Sequence, residues 1–335
     1  MSPGRLGLFT AALALSLELV AASPGIASTT EGSSDCPIIE ECVFDYLRYP
    51  SVALDASSPI STSELERRIG QMDHEREPTL TGTASAASLR DLILEGLNIV
   101  KLVEGPGQRA PTSRLGEPLS IRGVQGTELF LSDPFVGQVR GLLLTPTSPG
   151  PHPAVLAVHG HTDTPEDLFE RIGLQELVQA GFVVLLLEQR VAGADFWEDL
   201  VSRRLLLSGH SLLGLRIYES LLGLRFLQTS EGVVPTRIGL LGHSGGSIQS
   251  NLMVWLDQGF AACVSDHSST YFNRVDGWLG DETSTELYRL HPRVNALEEA
   301  PVPTLRAPYD YPLGMDKVLS FFREHLSPNK ARPSE

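Results

Sequence analysis

The chain has 335 residues, of which 41% are hydrophobic and 20% charged, with a formal net charge of −15. That is enough apolar material to bury the core of one large α/β domain or two small ones. So acidic a surface repels phosphate backbones and anionic membranes, which excludes nucleic acid as the expected partner. No Cys/His spacing suits a metal, so none is expected.

At the N-terminus Arg5 precedes an apolar stretch from Leu6 to Leu17, interrupted only afterwards by Glu18. Small residues follow, at Val20-Ala21-Ala22 and Gly25-Ile26-Ala27. This reads as a secretory signal over residues 1–27 with cleavage after Ala22 or Ala27. The apolar run is too short for a comfortable membrane span. Export is therefore the expectation, to the periplasm or the medium. Residues 28–63 read as a linker, and 64–335 as a single domain with an N-terminal helical arm. Cys36 and Cys42 are close enough to close a small loop in an oxidising compartment. Cys263, in an apolar run, reads as an inert core thiol.

Residues 64 to about 103 read as helical, with Leu89, Leu92, Ile93, Leu97 and Val100 on one face and Gly105-Pro106-Gly107 as the stop. The arm is expected outside the main sheet. Leu119–Leu131 and Val136–Leu144 read as two strands separated by Ser132-Asp133-Pro134. After a Pro-rich loop, Ala154–Val158 is an apolar strand that runs into His159-Gly160-His161-Thr162-Asp163. A helix with Leu168, Ile172, Leu174 and Leu177 closes before Gly181, and Phe182–Leu187 is a buried strand. Leu205–Leu227 reads as one long helix, with Gly209-His210-Ser211 inside it. Arg237–Leu241 is a strand leading into Gly242-His243-Ser244-Gly245-Gly246. A helix then presents Ile248, Leu252, Trp255 and Leu256 on one face. Phe260–Ser265 and Pro301–Ala307 are further strands, and Met315–Leu326 is the last helix, with His325 expected in solvent. Apolar strands alternating with helices imply parallel crossovers and a sheet covered on both faces.

Gly242-His243-Ser244-Gly245-Gly246 is Gly-x-Ser-x-Gly in the strand–turn–helix context the motif needs. Glycines on either side relieve the crowding of a sharp turn and leave the hydroxyl at its tip, as a nucleophile requires. His243 is expected to point away from the tip.

With His159-Gly160-His161 after one strand and Gly242-His243-Ser244-Gly245-Gly246 after another, residues 154–266 resemble an α/β-hydrolase. The similarity is greatest to the esterase and dienelactone-hydrolase branch that includes acetyl xylan esterases. The resemblance implies a mostly parallel central sheet with helices on both faces. It implies Ser244 as nucleophile, with the backbone amides of Gly245 and His161 as oxyanion donors; the rings of His159 and His161 then only shape a loop. It also implies the order nucleophile, acid, histidine. Of the histidines beside or after Ser244, His267 ranks above His291 as base, because it follows the neighbouring strand at the same sheet edge. As acid, Asp310 ranks above Asp266, while Asp276, Asp281 and Glu282 read as solvated loop charges. The expected histidine beyond the final strand is missing, so the C-terminal part reads as shortened by one strand–helix unit. Residues 268–300 are expected to cover the pocket, with Tyr271, Phe272, Trp278 and Tyr288 as lining.

The resulting expectation is a secreted serine hydrolase that cleaves small-molecule or carbohydrate esters through an acyl-enzyme, without cofactor. The competing reading is a catalytically inactive relative that keeps the fold to bind a ligand.

Overall fold

The computed structural model describes residues 86–161, 163–191, 195–266, 300–307 and 313–327. Residues 1–27 with their expected signal, Cys36, Cys42, His267, His291, Asp310, the arm before residue 86 and the aromatic-rich segment 267–299 lie outside the described residues.

The centre is an eight-stranded mixed sheet: β1 (Thr112–Ile121), β2 (Val124–Asp133), β3 (Gly137–Leu144), β4 (His152–Val158), β5 (Val183–Leu187), β6 (Val233–His243), β7 (Phe260–Asp266) and β8 (Thr304–Arg306). Their spatial order is β1-β2-β3-β5-β4-β6-β7-β8. β1, β2 and β3 pair antiparallel, and β3 meets β5 antiparallel. From β5 across to β8 every pairing is parallel. The helices are α1 (Ala86–Gly96), α2 (Val100–Val103), α3 (Pro165–Ile172), α4 (Gln175–Gln179), α5 (Asp195–Leu207), α6 (Leu212–Thr229), α7 (Gly245–Leu256) and α8 (Met315–His325).

Strand alternation divides the core in two. Ala154, Leu156, Val158, Val183, Leu185, Leu187, Ile238 and Leu240 join one buried cluster with α1, α2, α6 and α7. Val155, Ala157, Val184, Leu186, Leu241 and Val264 join the other, with α3, α4 and α8. Burial of each Leu or Val is worth about 1.5–3 kcal/mol, so neither face can be exposed without losing the fold. Gly239 lets α8 approach: a Cβ there would lie 2.6 Å from the Phe322 ring. Cys263 is fully buried and unpaired, and burial pushes its thiol pKa up to about 12.

The structure corrects five expectations. The span Leu119–Leu131 is not one strand but part of a hairpin in which Ile121 pairs with Val124. Its two turn residues, Arg122 and Gly123, both have positive φ, 51° and 78°. This is a two-residue turn of the kind whose twist suits a hairpin, with Arg where Asn or Asp would have signalled it. The helix expected up to Gly181 is two helices, because Gly173 at φ 75° caps α3 in the left-handed conformation. At its start α3 carries a reciprocal capping box between Thr164 and Asp167.

The long helix at 205–227 is broken at Gly209 (φ 80°), and Ser211 accepts from Gly214 N to start α6. Gly209-His210-Ser211 is thus the inter-helix turn. The arm also breaks, after α1, where Asn98 takes φ 52°. Its described residues, 86–103, lie outside the sheet, yet they are integral to the core: Leu89, Ile93, Leu94, Leu97 and Ile99 are buried in the first cluster. His325 sits half-buried beside Phe321, 4.5 Å between ring centroids.

Candidate active site

The site forms where β4, β6 and β7 end. Parallel strands bring these ends to one edge of the sheet, which is where α/β folds bind ligands. β6 delivers Ser244 into the first residue of a turn with φ 53° and ψ −121°. A non-glycine backbone in this region costs on the order of 1–3 kcal/mol and persists only when its surroundings force it. Here they do. Ser244 N donates to Asp266 O at 3.1 Å, and Ser247 N donates to Ser244 O at 2.9 Å. Ser247 Oγ donates to Gly242 O and is also bonded to Asp266 O.

The flanking glycines are required by close packing. A Cβ on Gly242 would collide with the backbone of Gly246, and one on Gly246 would collide with the Val158 carbonyl. α7 begins at Gly245, so its uncapped N–H groups and positive dipole end adjoin the serine.

The loop after β4 closes on the turn. A Cβ on Gly160 would stand 2.7 Å from Ser244 Cβ and 3.2 Å from its Oγ. Nδ1 of His159 donates to Gly160 O at 2.9 Å, while its Nε2 accepts from Gln189 N at 2.9 Å. Both ring nitrogens are thus occupied by backbone, and burial pushes the His159 pKa down. The ring ties the loop after β4 to the loop after β5. The ring of His161 also stands against the turn, with Nε2 placed 2.7 Å from where a Cβ on Gly245 would be. Its Nδ1 donates to Glu198 Oε2 at 2.8 Å, and Glu198 Oε1 is paired with Arg216 at 3.1 Å.

On the other side His243 and Asp266 face one another across β6 and β7, with Nδ1 to Oδ2 at 2.9 Å. The other carboxylate oxygen of Asp266 accepts from Leu313 N at 2.9 Å. Asp266 therefore fastens the chain just before α8 to the end of β7. The ring of His243 is thus held toward β7 by this acid, and His243 borders the same cavity as Ser244. That cavity, of about 670 Å³, is also bordered by His161, Asp163, Arg171 and the start of α8. Asp163 is buried and holds Arg171 through both of its oxygens.

Of the residues expected from sequence, Ser244, Gly245, His161 and Asp266 are brought together. His267 follows Asp266 directly in the chain, but it and Asp310 lie outside the described residues. Glu198 and Arg216 were not foreseen. The signal that could have found Arg216 is a charge inside a helix apolar on every face, as α6 is. Nothing in the sequence joins Glu198 to His161, 37 residues earlier. Among the described residues no cluster of His, Cys, Asp or Glu could hold a metal, and no helix is long and apolar enough to cross a membrane.

This chain has the α/β-hydrolase fold, and its structural likeness is to esterases of that fold. Acetyl Xylan Esterase 1 from a Thermoanaerobacterium species matches at TM-score 0.52 and 16% identity, over 77% of this chain and 98% of its own. An acetyl xylan esterase from a Paenibacillus species matches at TM-score 0.55 and 14% identity, over 76% of this chain and 99% of its own. In sequence, 128 residues are 29% identical to the Bacillus subtilis (strain 168) protein named Putative hydrolase YtaP, covering 34% of this chain. The chain spans 43% of the length of that relative. No protein-family profile matches.

Proposed function

We propose that this protein hydrolyses carboxylic esters through an acyl-enzyme on Ser244. The observation that carries the reading is the strained turn: a serine at φ 53°, braced by the loop after β4 and set at the N-terminus of α7.

Ser244 Oγ attacks the carbonyl carbon and passes its proton to a histidine, which returns it to the departing alcohol. The amides of Gly245 and His161 receive the charge that forms on the carbonyl oxygen. Water then repeats the sequence on the acyl-enzyme and releases the acid.

His267 is the base in this reading and Asp310 its acid. In support, His267 follows Asp266 at the site end of β7. The described residues on either side of Asp310 are both fastened to that end: Ala307 N to Ser265 O at 3.0 Å and Leu313 N to Asp266 Oδ1 at 2.9 Å.

The cavity and the likeness to acetyl xylan esterases favour small acyl or carbohydrate esters as substrates. The N-terminal signal reading places the enzyme outside the cytoplasm. Ser244→Ala should remove turnover of a small acyl ester by at least about a thousandfold. Unchanged turnover excludes the mechanism.

One observation favours the inactive-relative reading. Among the described residues no strand follows β8 to carry a histidine, whereas the fold's usual order ends on one. A fluorophosphonate separates the two: stoichiometric labelling of Ser244 excludes the inactive protein, and no labelling excludes the hydrolase.

A further inference from the structure

One polar side chain beside Ser244 enters the reading above only through its backbone. We infer that the imidazole of His161, backed at Nδ1 by the Glu198 carboxylate, is a catalytic side chain that donates a hydrogen bond from Nε2 to the oxyanion. This rests on the serine mechanism proposed above and extends it.

The side on which the ring stands decides the role. Its Nε2 lies against Gly245, 2.7 Å from where that residue's Cβ would be. Gly245 bears the amide expected to receive the oxyanion, so the ring tip is packed against the residue that carries that amide. A side chain at position 245 would take the space the ring fills, which gives this glycine a second reason to be there.

What stands behind the ring decides its protons. Nδ1 meets Glu198 Oε2 at 2.8 Å, and the Glu198 side chain is only 1% exposed. A carboxylate so buried is costly unless it is paired. Arg216, only 4% exposed, lies 3.1 Å from the other oxygen as its ion-pair partner. Arg216 is itself fixed, donating from Nε and a terminal nitrogen to Arg190 O at 3.0 and 2.6 Å. With Glu198 ionised, Nδ1 must carry a hydrogen. A proton on Nε2 then completes a row of alternating charge, Arg216, Glu198, His161, whose positive end meets the developing negative oxygen.

Among the described residues at this end of the site, Asp163 pairs with Arg171, Glu219 with Arg190, and Asp266 with the His243 ring. No proton is transferred in this step; the Nε2–H bond strengthens as the carbonyl oxygen becomes an oxyanion and relaxes when the acyl-enzyme forms. Glu198 and Arg216 touch no reacting atom and are positioning residues.

The test compares two replacements of the ring. His161→Asn keeps a donor where Nδ1 met Glu198 and loses Nε2. His161→Gln sets an uncharged donor near the place of Nε2. Loss of an oxyanion donor lowers kcat by about 10²–10³, so His161→Asn should lose about a hundredfold or more in kcat with KM within about threefold. His161→Gln should recover roughly tenfold of that loss.

Equal kcat in wild type and both variants overturns the inference and leaves His161 a loop residue. A Gln variant as inactive as the Asn variant also overturns it, since a ring needed as a base is not replaced by an amide. Fluorophosphonate labelling of wild-type Ser244 reads the parent mechanism separately from either result. Should His161→Asn fail to melt cooperatively, Glu198→Gln removes the charge behind the ring and keeps its shape. It should show the same loss in kcat at constant KM, and an unchanged kcat there overturns the assignment.

Discussion

The two ends of the sheet are built on different principles. At the parallel end β5 is buried at all five positions and β4 at its last five. At the antiparallel end β1 has no buried position in ten residues. The parallel strands are held by helices on both faces, and their ends meet as loops packed backbone against backbone. The antiparallel strands are held by ladder hydrogen bonds and by side chains on one face. Chemistry that must be placed to within a fraction of an ångström belongs at the first end, and both halves of the candidate site are there.

Matched substitutions sharpen this contrast. Gly246→Ala drives a methyl group into the Val158 carbonyl, and His159 O stands 2.7 Å away. Carbonyls held in β4 and the loop after it cannot move aside. We expect a loss of more than about 4 kcal/mol, or no folded protein, in urea melts. Gly126→Ala at the antiparallel end is also crowded, but chiefly by the tip of the Leu144 side chain, with Leu143 O at 3.0 Å. A rotamer can give way there, so about 1–3 kcal/mol is expected. If Gly126→Ala proves the more damaging of the two, the rigidity ascribed to the parallel end is misplaced.

The same contrast sets what was legible in the sequence. The serine turn was readable because its requirements are local: a buried strand, glycines at fixed offsets, then a helix. The alternation of apolar strands and helices from Ala154 to Asp266 was readable for the same reason. The hairpin turn at Arg122-Gly123 was not, because Arg is an unusual occupant of a left-handed position. The break between α5 and α6 was hidden by leucines on both sides of Gly209. The chain from Arg216 through Glu198 to His161 joins three separate elements, and periodicity carries no information about such a contact. Asp266 was placed correctly at the sheet edge, but its bond to the Leu313 amide, 47 residues on, could only come from the tertiary structure.

A smaller effect separates the ends by pH. His159 ties two site loops as a buried ring whose pKa is pushed down. The unfolded chain therefore binds a proton that the folded one resists. Stability is fully present above the unfolded histidine value of about 6.5 and is lost as pH falls below it. One such group accounts for at most about 1.4 kcal/mol per pH unit. Glu219, pushed up by its burial despite Arg190, works in the opposite direction, so the difference between two proteins is the useful measure. His159→Gln, whose amide oxygen can still accept from Gln189 N, should unfold in urea with a shallower loss of stability between pH 7 and pH 5 than wild type. Parallel pH profiles would remove His159 as the source.

The smallest effect is expected at the outermost strand. Leu115 is 59% exposed on β1, so its replacement removes little area from contact and leaves the ladder intact. It also adjoins an irregularity in pairing between Leu115 and Pro118, where the register with β2 shifts. Leu115→Ser should change stability by less than about 0.5 kcal/mol and leave ester turnover unaltered. The exposure of a leucine is ordinary by itself, which makes the null result informative. A loss above about 1 kcal/mol would mean that β1 is covered in solution by something beyond its own hairpin. The antiparallel end would then be a second packed face rather than the tolerant edge that the contrast with the parallel end requires.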